Sequence, residues 1–310
     1  MNGIILLDKP TGMTSFDAVS FVRRIVKEKK AGHAGTLDPM ATGVLPIFLG
    51  EATKAVSLLT NQDKKYTAVL RLGVTTDTGD ITGKILTQST VDATDEEVKK
   101  AAAAFKGQIK QIPPMYSAIK INGRHLYDIA REGKEVERSE RQITVYDISV
   151  RPSGDKTGDY ILDVSCSKGT YIRTLCEDIG AKLGCGGTMA ALRRTAAAGF
   201  DISQCVSTDE LKSLSELDKL DDIILSVEET FKDLPVADIT PKQAIRFRNG
   251  GKLALNRIKE SLPQGLCRMV CNGLFTGLGY VNTEADEIEI KCHFNRDKEI
   301  AVKEETQNAV

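Results

Sequence analysis

Apolar residues at Ala18, Phe21, Val22 and Ile25 recur at i, i+3, i+4 and i+7, the spacing that turns one face of a helix toward a core. With Thr14 or Ser15 as the N-cap, this pattern predicts a helix over about 16–29. A second helix is marked by a capping box of Thr94 and Glu97, a buried stripe of Val98, Ala101, Ala102 and Phe105, and Gly107 as its left-handed stop. Elsewhere the period changes from 3.6 to 2. Tyr160, Leu162, Val164 and Cys166 alternate with Ile161, Asp163, Ser165 and Ser167, and Ala68, Leu70 and Leu72 alternate with Val69 and Arg71, which predicts two strands. The first of these runs through Gly169 into a helix with apolar positions Ile172, Leu175, Cys176 and Ile179, closed by Gly184, with Tyr171 and Arg173 at its start.

Toward the carboxy terminus the pattern shortens. Asp233-Leu234-Pro235 reads as a linker, and Thr240-Pro241 sets an N-cap and a first-turn proline for a short helix ended by Gly250. LCRMVCNGLFTGLGYV and DEIEIKCHF then read as short strands between Gly and Asn turns. We therefore expect an α+β chain in two parts. Residues 1–233 form a mixed, mostly antiparallel sheet flanked by helices, and residues 234–310 a small β-rich module near the lower size limit for independent folding.

Composition narrows the class. With 310 residues, 41% hydrophobic and 27% charged, the chain is neither disordered nor collagen-like. No apolar run approaches the roughly 20 residues of a membrane-spanning helix, and MNGIILLDKPTG lacks the basic region of a secretory signal, so a cytoplasmic, membrane-free protein is expected. Seven Cys, an odd number, point to reduced thiols. The net charge of −1 says little, but its distribution says more. Residues 207–233 carry nine acids and three Lys, so the rest of the chain is near +5. This acidic stretch reads as a solvated helical face, with Ser207 and Glu210 as its capping box. Residues 240–259 hold six cations, Arg246 and Arg248 among them, and no acid. Arg23, Arg24, Lys27, Lys29 and Lys30 crowd another segment against Glu28 alone. Such patches suit nucleic-acid phosphates, and equally a pair of solvated faces.

The densest candidate chemistry lies between Gly32 and Leu45. Three glycines allow tight turns, Pro39 fixes the chain after Asp38, His33 precedes by five residues, and Val44, Leu45, Ile47, Phe48 and Leu49 anchor the segment. An aspartate held in this way serves as nucleophile, general base or metal ligand, or else closes an Asx turn. Cys267, Cys271, Cys292 and His293 are potential zinc ligands by type, but their spacing matches no usual ligand pair and no metal is expected.

The segment AGTLDPMATGVLP, together with DKPTGMTS at 8–15, resembles the TruB-type branch of the pseudouridine synthases, which act on uridine-55 of tRNA. Similar blocks follow in the expected order: KKYTAVLRLGVTTDTGD at 64–80, PPMYSAIKINGRHLYDIAREG at 113–133, and CSKGTYIRTLCEDIGAKLGCGGTMAALRRTAAAGF at 166–200. The resemblance implies that Asp38 is the nucleophile, that His33 packs against RNA where the target uridine leaves its stack, and that Tyr66 stacks on the flipped base. It further implies that Tyr171 lines the pocket, Arg173 pairs with the Asp38 carboxylate, and Leu192 meets the base from the other side. Residues 119–141 would be an insertion closing over the T-loop arm, with Lys120, Arg124 and Arg131 on RNA. The final module would be a PUA-like domain presenting Arg246 and Arg248. No cofactor and no obligate protein partner are implied beyond the tRNA. Two other classes stay open at this stage, a tRNA-folding chaperone whose catalytic site is secondary and an aspartyl-phosphate phosphotransferase. The second lacks any phosphate-binding GxxxxGK[ST] segment.

Overall fold

A computed structural model describes residues 1–59, 63–121, 123–154 and 158–294; the last part of the expected carboxy-terminal module, 295–310, and position 122 of the expected insertion lie outside the described residues. The central element is a nine-stranded sheet. Its spatial order is Gly3–Lys9, Thr42–Leu49, Gly187–Ala197, Lys64–Leu72, Asp159–Cys166, Arg141–Pro152 and Gly107–Gln111, with Ala31–His33 added to the second strand and Phe200–Asp201 to the third. Every pairing along this path is antiparallel except that of Thr42–Leu49 with Gly187–Ala197, which is parallel through Arg193 opposite Thr42 and Arg194 opposite Gly43.

The sequence explains which strands are covered on both faces. In Gly3–Lys9 the run GIILLDK does not alternate, as expected of a strand without a wet side. Ile5 and Leu7 face the helix Ser15–Val26 and Leu211 of the helix Thr208–Glu216, whereas Ile4 and Leu6 join a cluster with Val44, Phe48, Phe275 and Phe294. In Asp159–Cys166 the expected alternation is present, with Leu162, Val164 and Cys166 buried and Ile161, Asp163 and Ser165 half-exposed. Helices Asp95–Ala103 and Ile172–Lys182 cover that side of the sheet through Val98, Ala101, Ala102, Leu175, Cys176 and Ile179.

Three local expectations need correction. The first helix ends at Val26, because Lys27 turns to φ 53 and stops it. The second ends at Ala103, and Gly107 at φ 107 opens the next strand rather than closing the helix. The acidic stretch is an α-helix only over its first part, although its acids face solvent as expected. After Thr208–Glu216 it continues as two 3₁₀ turns, and Leu211, Val227 and Phe231 are buried.

The carboxy-terminal strands form a separate five-stranded sheet in the order Val236–Asp238, Gly265–Cys271, Leu274–Asn282, Glu287–His293 and Leu253–Ala254. Helix Pro241–Arg248 packs on it through Phe247 and Ala244, its start fixed by the Thr240–Gln243 capping box. Cys267 lies 3.7 Å from the Met269 sulfur in this core, and the His293 Nε2 atom is 3.1 Å from the Phe247 carbonyl oxygen. Among the described residues no group of three His, Cys, Asp or Glu side chains is placed to hold a metal ion, and no helix is long and apolar enough to cross a membrane.

Candidate active site

Asp38 is presented by a loop whose backbone is tied down from three directions. The Ser15 hydroxyl, at the start of the first helix, accepts from Leu37 N–H at 2.9 Å and donates to the Leu37 carbonyl at 3.1 Å. Gly12 N–H donates to the Pro39 carbonyl at 2.7 Å. Beneath the loop the fully buried Lys9 ammonium reaches the carbonyls of Met13 at 2.6 Å, Pro10 at 2.8 Å and Pro39 at 3.4 Å. From the neighbouring strand the buried Arg194 guanidinium donates to the carbonyls of Val44 at 2.8 Å, Gly35 at 3.0 Å and Thr36 at 3.4 Å. Carbonyls that would otherwise lose water on burial are thus satisfied by two cations, a stronger arrangement than neutral donors would give.

The Asp38 side chain remains about one-third exposed (35%) in this otherwise enclosed setting, so a molecule arriving from solvent reaches its carboxylate. Arg173, buried at the start of helix Ile172–Lys182, places Nη2 3.1 Å from Asp38 Oδ2 and Nη1 3.8 Å from Asp80 Oδ2. Nη1 also donates to the Thr78 carbonyl at 3.0 Å and Nη2 to the Tyr116 carbonyl at 2.6 Å. Asp80 is itself fixed by the Thr82 hydroxyl and N–H, at 2.5 and 3.0 Å. Loss of solvent pushes the Asp38 carboxyl above the usual carboxylate range, Arg173 opposes that rise, and Asp80 adds to it. Lys9 is pulled down to about 8, chiefly by burial, with Asp38 holding it up and Arg194 pressing it down.

Tyr66 and Leu192 sit on adjacent strands and join Leu37 and Ala41 in one buried cluster, with Met40 packed against it. Burial raises the Tyr66 phenol against the opposing charge of Arg194, which leaves it protonated and a poor base at neutral pH. His33 ends the strand Ala31–His33 opposite Ile47, and burial lowers its imidazole, so it is neutral near pH 7. Its Nδ1 atom is buried without a hydrogen-bond partner among the described residues. Tyr171 is the N-cap of the Arg173 helix and half-exposed, and its backbone is clamped by buried Gln111, which accepts from Tyr171 N–H at 3.0 Å and donates to its carbonyl at 3.2 Å.

The cations expected on RNA lie away from this cluster. Lys120 and Arg124 lie on the two-residue strands of a small hairpin, and Arg131 ends the helix Leu126–Arg131. Arg124 pairs with Glu132, and Arg131 lies 5.6 Å from the centre of the Tyr127 ring. The insertion has its own cluster of Met115, Leu126 and Ile129, and its root touches the site through the Tyr116 carbonyl on Arg173. Arg246 and Arg248 are exposed in the last turn of Pro241–Arg248.

Sequence reasoning missed Lys9, Asp80, Gln111 and Arg194 as parts of the site. Lys9 and Asp80 stood inside the quoted blocks, at a strand end and beside a turn glycine, but nothing in the spacing said that either turns inward. Arg194 offers one signal: of the two adjacent arginines in the strand Gly187–Ala197 it is the one in phase with the inward-facing Leu192.

The model of the TruB family pseudouridylate synthase N-terminal domain matches residues 23–172, and that of the tRNA pseudouridylate synthase B C-terminal domain matches residues 173–232. The tRNA pseudouridine synthase B of Alkaliphilus oremlandii is 44% identical over 287 residues, spanning 92% of this chain and 94% of that protein. Its counterpart in Escherichia coli K12 is 40% identical over 296 residues, spanning 92% of each. Among solved structures, the crystal structure of a Cbf5-Nop10-Gar1 complex aligns with a TM-score of 0.73 and 27% identity over 94% of this chain and 85% of that one. Matched from the loop that presents Asp38 to the strand that carries Arg194, the chain belongs to the TruB family of pseudouridylate synthases.

Proposed function

We propose that this protein isomerises uridine-55 in the T-loop of tRNA to pseudouridine, without cofactor and with Asp38 as the nucleophile. The observation that carries the reading is the Asp38–Arg173 pair at 3.1 Å, open to solvent on the Asp38 side only. The reaction breaks the bond from ribose C1′ to uracil N1 and forms one from C1′ to C5; C5 loses a proton and N1 gains one. No electron or outside atom enters, so the site needs an ionised carboxylate and a place to hold a detached base. Arg173 serves the first need, and the Tyr66–Leu192 surface serves the second. Asp38 attacks at C6 or at C1′, or acts as a base toward a glycal. Extruding a stacked base costs a few kcal/mol, and aromatic stacking worth about 1–3 kcal/mol per base offsets much of it. Tyr66 and Tyr171 supply aromatic faces for that purpose, and His33 packs against the RNA where the uridine leaves its stack.

In this reading residues 1–233 are the catalytic unit, the 119–141 insertion closes over the T-arm with Lys120, Arg124 and Arg131, and residues 234–310 are a PUA-like module that adds Arg246 and Arg248. The tRNA is the partner, no obligate protein partner is required, and the cytoplasm is the place of action. Tritium release from a T-arm RNA labelled at uridine C5, run with excess chelator, tests the proposal. Wild type releases tritium and Asp38→Ala does not; RNA bound without release by either protein would instead favour a tRNA-folding role.

A further inference from the structure

The outward face of the first helix is not used by the site described above. Phe16, Ser20, Arg23 and Lys27 stand at i, i+4, i+7 and i+11, so they fall in one line along the helix Ser15–Val26 and its cap. The opposite face is buried through Ala18, Val19, Val22 and Val26. Phe16 is 71% exposed, more than any other large apolar side chain among the described residues. Arg23, Arg24 and Lys27 are exposed as well, and with Ser20, Glu28 and Lys29 they line a depression of about 390 Å³.

The charge of this face is unbalanced. Among the described residues no carboxylate forms an ion pair with Arg23, Arg24, Lys27 or Lys29. The two acids of the segment are engaged elsewhere. Asp17 closes the capping box, accepting from the Thr14 hydroxyl at 2.6 Å and its N–H at 3.1 Å. Glu28 accepts from the amino terminus at 2.9 Å and from Lys30 N–H at 3.0 Å. A cluster of like charges left uncompensated costs free energy unless an anion arrives.

The line also has a fixed relation to Asp38. Ser15, the residue before Phe16, is the one whose hydroxyl holds both backbone groups of Leu37, next to Asp38. The aromatic end of the line is therefore at the edge of the catalytic loop, and the cations trail away from it over roughly 16 Å of helix.

We propose that this helix face is a docking surface for the RNA strand beside the reacting nucleotide, with Phe16 stacking on a base and Arg23, Arg24 and Lys27 neutralising successive phosphates. An aromatic followed by cations is what a nucleic-acid strand presents chemistry for: a π-face on each base and a charge on each linkage. The inference rests on the RNA-modifying reading of Asp38 and extends the substrate contact beyond the insertion and the carboxy-terminal module.

Binding of an unmodified tRNA transcript, measured over a salt series, tests it. Arg23→Gln/Arg24→Gln/Lys27→Gln raises Kd about tenfold or more at low salt and reduces the slope of log K against log salt by about two. Phe16→Ala raises Kd about fivefold or more with the slope kept, because stacking releases no counterions. In both, the loss falls on KM rather than on kcat. Arg23→Lys/Arg24→Lys keeps the slope, which separates lost charge from a damaged helix. Wild-type Kd and slope in the triple variant, with wild type itself releasing tritium from C5-labelled RNA, overturn the docking surface alone. Absence of release by wild type overturns the functional reading on which it stands.

Discussion

At Asp38 the fold works against the charge that the chemistry needs. Burial raises the carboxyl above its ordinary range, and Arg173 is the main influence opposing that rise. A raised acid loses its proton later as pH increases, so the acidic limb of kcat/KM lies above the ordinary aspartate value of about 3.9. Removing Arg173 takes away the opposing charge, and the limb moves further up. Arg173→Ala is expected to lower kcat/KM at pH 7 on the order of 100-fold, as for loss of a preorganised charge partner at a reacting group. RNA affinity changes little, since Arg173 is buried and both its Nη atoms are engaged within the protein, on Asp38, Asp80 and the carbonyls of Thr78 and Tyr116. Arg173→Lys restores the position of the limb better than it restores rate, because an ammonium keeps the charge but cannot hold all those acceptors in one plane. A pH–rate profile with parallel Kd measurements decides this. An unmoved limb with Kd and rate falling together would make Arg173 a phosphate contact instead.

The elements around the loop depend on one close approach. Gly43 lies where strand Thr42–Leu49 runs parallel to Gly187–Ala197, at φ 104 and opposite Arg194. A Cβ there would meet the Arg194 carbonyl oxygen at 2.1 Å and its nitrogen at 2.8 Å. Both are backbone atoms and cannot swing aside, so Gly43→Ala must part the two strands that carry the Asp38 loop and its Arg194 clamp. The expected result is a loss of roughly 3 kcal/mol or more in urea unfolding, from strain and broken pairing together, or failure to fold. A wild-type urea midpoint would mean that the strand pair gives way without cost. Much of this layer is legible in the residues. The capping boxes at Thr94 and Ser207 and the N-cap at Thr240 state their local structure because the hydrogen bonds involved are a few residues long, and the period-two runs at 68–72 and 160–166 do so because each strand buries one face. Helix ends are less legible. Lys27 and Ala104 carry no special signal, and their helices stop where the surrounding packing requires it. The inward turn of Arg194 is hidden for the same reason, since it bonds to the Val44, Gly35 and Thr36 carbonyls that only the sheet brings close, while Lys9 and Asp80 each add one distant partner, the Pro39 carbonyl and Arg173, to bonds with near neighbours.

The whole molecule departs furthest from what local pattern suggests. From the residues alone the carboxy-terminal strands read as a module near the size limit for folding by itself. In the structure Phe275, Leu278, Cys292 and Phe294 of that module share a core cluster with Ile4, Leu6, Val44 and Phe48 of the central sheet. Phe294 stacks between Phe275 and Phe231, with ring centres 5.6 and 6.0 Å apart. The seam also carries polar contacts, Lys54 Nζ to the His293 carbonyl at 3.0 Å and Arg268 to Glu228 at 3.1 Å. No period or spacing reveals such a seam, since its contacts with the central sheet join residues more than 200 positions apart. It follows that the outer face of the strand Gly3–Lys9, which also borders the Asp38 loop through Lys9, needs the last strands as its cover. The two parts should therefore unfold together. Urea unfolding followed by tyrosine fluorescence and by far-ultraviolet circular dichroism is expected to give coincident single transitions. Phe294→Ala, which deletes a fully buried ring from the seam, is expected to lower stability by about 3–5 kcal/mol in that one transition. Two separate transitions, with Phe294→Ala moving only the smaller, would show that the modules fold independently and that the seam merely joins finished parts.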